Sequence, residues 1–199
     1  MWLDGIDKGN VEGEWQDLVS GNTFVNHGAI AETDGWRFDG ASSYMDSTTL
    51  TNYGPDSKNR TFEIVAEFER GNITEVVYMG NYSGYAFGRY VGGKRMIFST
   101  DLDFPTLADD MTSGVRIVSV SSSDIQIVAS KINGNNGQVS QIEQFTGKND
   151  FIYLGKRASC NHFKGKIHAI RIHDRILTEE EILQNQRLDN ERFGLGLDI

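Results

Sequence analysis

Glu63, Glu67 and Glu69 alternate with the apolar residues Phe62, Ile64, Ala66 and Phe68 in the run 60–70. Residues two apart on an extended strand share a face, so the three acids line one side. Two carboxyl groups about 5–5.5 Å apart can act as acid and nucleophile in glycoside hydrolysis. The same alternation also describes an antiparallel strand with one buried and one wet, acidic face, and that reading is preferred. Other catalytic sets are weaker. There is no G-x-S-x-G elbow to present a serine nucleophile. The four histidines are His27, His162, His168 and His173. His168 and His173 are expected to face different ways. Cys160 and His162 lack a partner C-x-x-C for zinc. The expectation is a chain that is not an enzyme.

Oxygen-rich clusters could hold Ca²⁺, a hard cation that takes several carboxylate and carbonyl ligands. One comprises Asp101, Asp103, Asp109 and Asp110, and it is the favoured metal site. The other comprises Asp4, Asp7 and Asn10, where Asp4 could instead cap a turn after the first strand. Neither matches an EF-hand loop.

Sugar recognition needs rings that stack on C–H faces beside planar groups that bond hydroxyls. The densest such stretch runs from Asn81 to Tyr90, with Asn81, Tyr82, Tyr85 and Arg89 as candidate ligand contacts. Arg157 and His162, in a loop before a C-terminal strand, are a second candidate pair. The alternative for the tyrosines is packing inside a sheet, where strand aromatics usually sit.

The elements that must position these groups are short. Gly is frequent, at 22 residues, and Pro is rare, at 2. Between Gly, Asn, Ser and Asp breaks lie alternating runs at 60–70, 75–79, 85–90, 95–99, 115–121, 125–131, 138–144, 152–155 and 164–172. The segment from Ile132 to Gly137 has turn chemistry, since Gly and Asn tolerate left-handed backbone. Many short strands with frequent turns predict an all-β sandwich. In the strand ending at Ile172, Ile167, Ala169 and Arg171 are expected on one face and His168, Ile170 and Ile172 on the other. Trp2, Trp15 and Trp36 are assigned to the core. Thr178-Glu179-Glu180-Glu181 forms a capping box that opens a helix to about Arg192, with Gly194 as its stop. Ile182, Leu183 and Leu188 supply its apolar stripe.

The 199 residues form a single domain on this reading, large enough to fold without disulfide or metal. One cysteine rules out an intramolecular disulfide. A net charge of −9 with no long basic run argues against nucleic acid. No apolar stretch is long enough for a membrane helix, and Met1-Trp2-Leu3-Asp4 has no signal-peptide pattern.

Ile152-Tyr153-Leu154-Gly155, Phe163-Lys164-Gly165-Lys166-Ile167 and Arg175-Ile176-Leu177-Thr178-Glu179-Glu180-Glu181-Ile182 resemble the C-terminal signature of concanavalin A-like, laminin G-type domains. Trp15-x-Asp17-Leu18, Trp36-x-Phe38-Asp39-Gly40 running on to Tyr44-Met45, and Phe62-Glu63-Ile64 agree more loosely with that family's earlier strands. The resemblance implies a two-sheet antiparallel jelly roll with a short C-terminal α-helix. It also implies binding rather than catalysis, because such domains occur in adhesins, cell-wall proteins, carbohydrate-enzyme modules and phage fibres. The expected partner is a glycan or host-surface receptor, in an extracellular, cell-surface or virion setting. One alternative is a virion structural domain contacting only other virion or surface proteins, with residues 82–90 buried in a homo-oligomer. A glycoside hydrolase is the weaker alternative, since laminarinase-like enzymes carry an orienting Asp where this chain has Val65.

Overall fold

A computed structural model describes residues 1–9, 12–47, 59–69, 74–80, 84–89, 96–99, 106–108, 113–123, 126–141, 152–157 and 161–199. The strands are β1 (Trp2–Asp4), β2 (Trp15–Gln16), β3 (Thr23–His27), β4 (Ile30–Glu32), β5 (Gly35–Asp39), β6 (Tyr44–Ser47), β7 (Arg60–Phe68) and β8 (Thr74–Gly80). They continue with β9 (Gly84–Arg89), β10 (Met96–Ser99), β11 (Thr106–Ala108), β12 (Gly114–Ser122), β13 (Ile127–Ile132), β14 (Asn135–Asn136), β15 (Ile152–Leu154) and β16 (Lys164–His173). A single helix follows among the described residues, α1 (Glu179–Arg192).

Two antiparallel sheets form a sandwich. The first has the order β14-β13-β12-β7-β16-β5-β4, with β1 also paired to β16. The second has the order β11-β10-β9-β8-β15-β6-β3-β2. The alternation in β7 places Phe62, Ile64, Ala66 and Phe68 in the shared core with Phe24, Phe38, Met45, Leu154 and Phe163. Each fully buried large side chain contributes roughly 1.5–3 kcal/mol.

Two glycines permit close approaches. Gly165 sits at φ +143°, and a Cβ there would overlap the Glu67 carbonyl oxygen on β7. Asn133 and Gly134, at φ +48° and +79°, make the two-residue turn between β13 and β14.

The face assignment for β16 is corrected by a bulge. Ile167 pairs with Ala66 and Ala169 with Val65, so His168 is an extra residue without a partner on β7. Ile167, Ile170 and Ile172 therefore all reach the main core, while Ala169 joins Val65, Ile117 and Phe193 on the outer face. The run 138–144 is also not the expected strand over its described residues. Beyond β14, the chain only keeps isolated contacts with β13, such as Ile127 N–H to Ser140 O at 2.8 Å. Val139 is exposed, so no apolar face anchors the segment.

The helix begins as expected. Thr178 Oγ1 accepts from Glu181 N–H, and the Glu181 carboxylate accepts from Thr178 N–H. Its buried face, however, is Ile182, Gln186 and Asp189, while Leu188 is 54% exposed. Polar bonds dock it instead. Gln186 Nε2 donates to Ser119 Oγ at 2.9 Å, and Arg171 Nη1 donates to Asp189 Oδ2 at 2.7 Å. Arg192 Nε reaches Asp4 Oδ2 at 2.9 Å.

Candidate functional site

β3, β6 and β15 lie side by side in the second sheet. Val25 is opposite Asp46, His27 opposite Tyr44, and Tyr153 also opposite Asp46. Since Phe24, Met45 and Leu154 point into the core, the period-2 pleat sends His27, Tyr44, Asp46 and Tyr153 to the outer face together.

There they form one cluster. The His27 and Tyr44 rings stack with centroids 4.2 Å apart and planes 14° from parallel. His27 Nε2 lies 3.2 Å from Asp46 Oδ1. Tyr153 meets Tyr44 edge-on at 6.4 Å, and His162 lies 6.5 Å from Tyr44. Lys156, just after β15, brings its Nζ 3.2 Å above the centroid of Tyr44 and 4.7 Å from that of Tyr153. One face of Tyr44 cannot hold both an imidazole and an ammonium at these distances, so Lys156 covers the face opposite His27.

Burial lowers the Lys156 pKa, against an upward pull from Asp46. Burial raises the pKa of the Tyr153 phenol, with Asp46 and Tyr44 adding to it. Lys156 has no carboxylate ion-pair partner among the described residues. The cluster thus offers rings, an ammonium with donors to spare, and a carboxylate acceptor on one accessible surface.

His162 is the sequence candidate that joins this cluster. Arg157 is half-buried in the same stretch as Lys156. Asn81 and Tyr82 lie outside the described residues. Tyr85 and Arg89 are on β9, in register with Met79 and Met96 respectively. The aspartates Asp101, Asp103, Asp109 and Asp110 lie outside the described residues too, as does Asn10. Asp4 does cap a turn, accepting from Ile6 N–H and Asp7 N–H, both at 2.9 Å. Burial pushes its carboxyl up, but Arg192 and those two amides outweigh it and hold the pKa below the ordinary value.

The acidic face of β7 is not uniformly wet. Glu63 is 2% exposed beneath α1, bonded to His173 Nε2 at 2.9 Å, Asn185 Nδ2 at 3.0 Å and Ser119 Oγ at 3.3 Å. A carboxylate so enclosed cannot meet a sugar, which removes the pair Glu63 and Glu67 as acid and nucleophile. Glu67 and Glu69 flank Arg37, at 3.6 Å and 2.7 Å. Trp2 is also corrected. It is 37% exposed, with the Arg171 guanidinium 5.5 Å from its ring.

His27, Tyr44, Asp46, Tyr153 and Lys156 were absent from the sequence candidates. The usable signal was an outward polar or aromatic residue beside an inward apolar one, as in Tyr44-Met45-Asp46 and Ile152-Tyr153-Leu154.

No protein-family model matches the chain, and no curated protein resembles it in sequence. Solved structures share its fold. The botulinum neurotoxin serotype G binding domain matches with TM-score 0.74 and 12% identity, over 96% of this chain and 51% of that one. The serotype D ligand-binding domain in complex with N-acetylneuraminic acid gives 0.70 and 15%, over 94% and 50%. Trypanosoma rangeli sialidase, bound to difluorosialic acid as a covalent intermediate, gives 0.71 and 12%, over 96% and 33%. The chain thus spans a third to a half of the structures it matches, and at these identities the likeness is one of fold: a two-sheet β-sandwich.

Proposed function

We propose that this chain is a non-catalytic glycan-binding module that recognises an acidic saccharide on the outer face of the second sheet. The observation that carries it is the single cluster of His27, Tyr44, Tyr153, His162, Asp46 and Lys156. A sugar carboxylate pairs with the Lys156 ammonium, which has no ionic partner of its own among the described residues. Charge-assisted bonds of this kind are about twice as strong as neutral ones. Asp46 accepts from hydroxyls, and the exposed side of His27 and the Tyr153 ring meet C–H faces.

Two further points support the reading. Among the fold's neighbours, one sandwich domain was solved with N-acetylneuraminic acid. The carboxylate best placed by sequence for catalysis, Glu63, is enclosed under the helix. Kinship with laminin G-type domains and an extracellular, cell-surface or virion setting belong to the same proposal. The motifs behind that kinship, Gly165 against β7 and the Thr178 capping box, serve closure of the sandwich.

The test is a glycan array followed by calorimetric titration. Binding of sialylated or uronic-acid glycans that weakens about ten- to hundredfold in Lys156→Ala is the expected result. Absence of any glycan signal, or equal binding by Lys156→Ala, would refute it.

A further inference from the structure

Three nitrogen bases surround the Tyr44 ring, and each comes from a different part of the chain. His27, on β3, stacks on it with centroids 4.2 Å apart. Lys156, after β15, holds its Nζ 3.2 Å from the ring centroid. His162, just ahead of β16, has its ring centroid 6.5 Å from that of Tyr44. None of the three is enclosed. The His27 side chain is 38% exposed, and Lys156 and His162 are half-buried. An anion resting on this surface feels all three.

The groups that face the two imidazoles are Tyr44 and Asp46 on β6, Tyr153 on β15, and Lys156 beyond it. Asp46 Oδ1 lies 3.2 Å from His27 Nε2. Arg157 follows Lys156 and is half-buried. With both imidazoles neutral, the Lys156 ammonium and the Asp46 carboxylate cancel. Among these side-chain types, imidazole is the one that ordinarily changes charge between about pH 5 and pH 8. Protonating both adds two positive charges beside Lys156, and the cluster becomes cationic. The remaining histidines, His168 and His173, stand on β16 in the other sheet and play no part in this change.

We infer that the outer-face cluster is acid-activated: protonation of His27 and His162 strengthens its hold on an anionic saccharide in mildly acidic surroundings. The inference rests on the glycan-binding reading above and adds its regulation. A unit charge about 6 Å from an anion, in water-like surroundings, changes affinity about threefold, and two such charges change it about tenfold. Salt screens the effect, because the site is open.

N-acetylneuraminic acid is the probe, since a carboxylate of ordinary acidity stays ionised from about pH 5.5 to pH 8. Calorimetric titration in low salt should give an affinity about tenfold higher at the lower of these pH values. Near pH 6.5, titration in two buffers of different ionisation heat should show that binding takes up protons. His27→Gln and His162→Gln, made separately, should each cut the affinity ratio between the two pH values to about threefold, whatever the absolute affinity. Each should also reduce the proton uptake. Equal affinity at both pH values, binding without proton uptake, or an unaltered ratio in both variants overturns this inference and leaves the acidic-sugar reading standing. No binding at either pH overturns both.

Discussion

His27 and Tyr44 are direct cross-strand partners, and their rings stack with centroids 4.2 Å apart. With Lys156 on the other face of the tyrosine, the three side chains form a column whose outer ends, imidazole and ammonium, meet solvent. Truncating Tyr44 collapses that column, so Tyr44→Ala should abolish glycan binding. Lys156→Ala should weaken binding of an acidic sugar about ten- to hundredfold, the loss of one charge-assisted bond of about 1.5–3 kcal/mol. Its effect on folding should stay below about 1 kcal/mol, because exposed cation–π contacts are worth little more. Calorimetric titration and urea melts check the two numbers separately.

The ion pair of Arg171 with Asp189 is a different case. Asp189 is 1% exposed. Asp189→Asn leaves the largely buried guanidinium with only the more distant Glu63 carboxylate, at 3.8 Å, and should cost about 3 kcal/mol. Replacing both, as Arg171→Met with Asp189→Leu, should recover most of that loss. Equal destabilisation in the single and double variants would contradict it.

Glycines separate strain from overlap. Gly165→Ala must push against the Glu67 carbonyl of a central strand, and should destabilise by more than about 3 kcal/mol or prevent folding. Gly21, at φ +75°, has nothing within 4 Å of its would-be Cβ. Gly21→Ala should cost only the left-handed backbone penalty, about 1–2 kcal/mol. Chemical denaturation of both variants gives the contrast.

His168 sets a pH dependence. Burial lowers its pKa, against the pull of Asp34. Its Nδ1 bonds Asp34 O at 3.0 Å, while Nε2 is buried with no partner among the described residues. The folded imidazole, with the Asp34 carboxylate 3.3 Å away, therefore takes up its proton at a lower pH than the unfolded chain, which does so near pH 6.5. Stability should be full above that value and fall as pH drops below it, by at most about 1.4 kcal/mol per unit from this group. Urea midpoints from pH 8 to pH 5 should show the fall, and His168→Gln should flatten it. A slope unchanged in the variant would assign the effect elsewhere.

Local signals were legible in the sequence. The capping box at Thr178, the Asn133-Gly134 turn and the alternation of β7 each depend on neighbours a few residues away. Features made by distant partners were not. The bulge at His168 exists only in the register between β16 and β7. Glu63 reads as a wet acid until α1, more than a hundred residues later, lies over it. The outer-face cluster joins residues 27, 44, 46, 153, 156 and 162, none dense enough in sequence to stand out. Local density of aromatic and planar polar residues is instead highest at residues 81–90. His162 was found because it lies in a loop beside the C-terminal signature, and the spacing that joins it to Tyr44 is spatial.

The position of β16 also bears on how the chain reaches its native state. This strand pairs with β7 on one side and with β5 and β1 on the other. The Met1 amino group donates to Ile172 O, across 171 residues of sequence. During synthesis at about 5–20 residues per second, the opening strand waits roughly ten to thirty seconds for the partner it needs. Contacts of such long range also slow refolding. Until β16 emerges, β7 and β5 lack the neighbour that fills their facing edges, and an unfilled strand edge is open to mispairing.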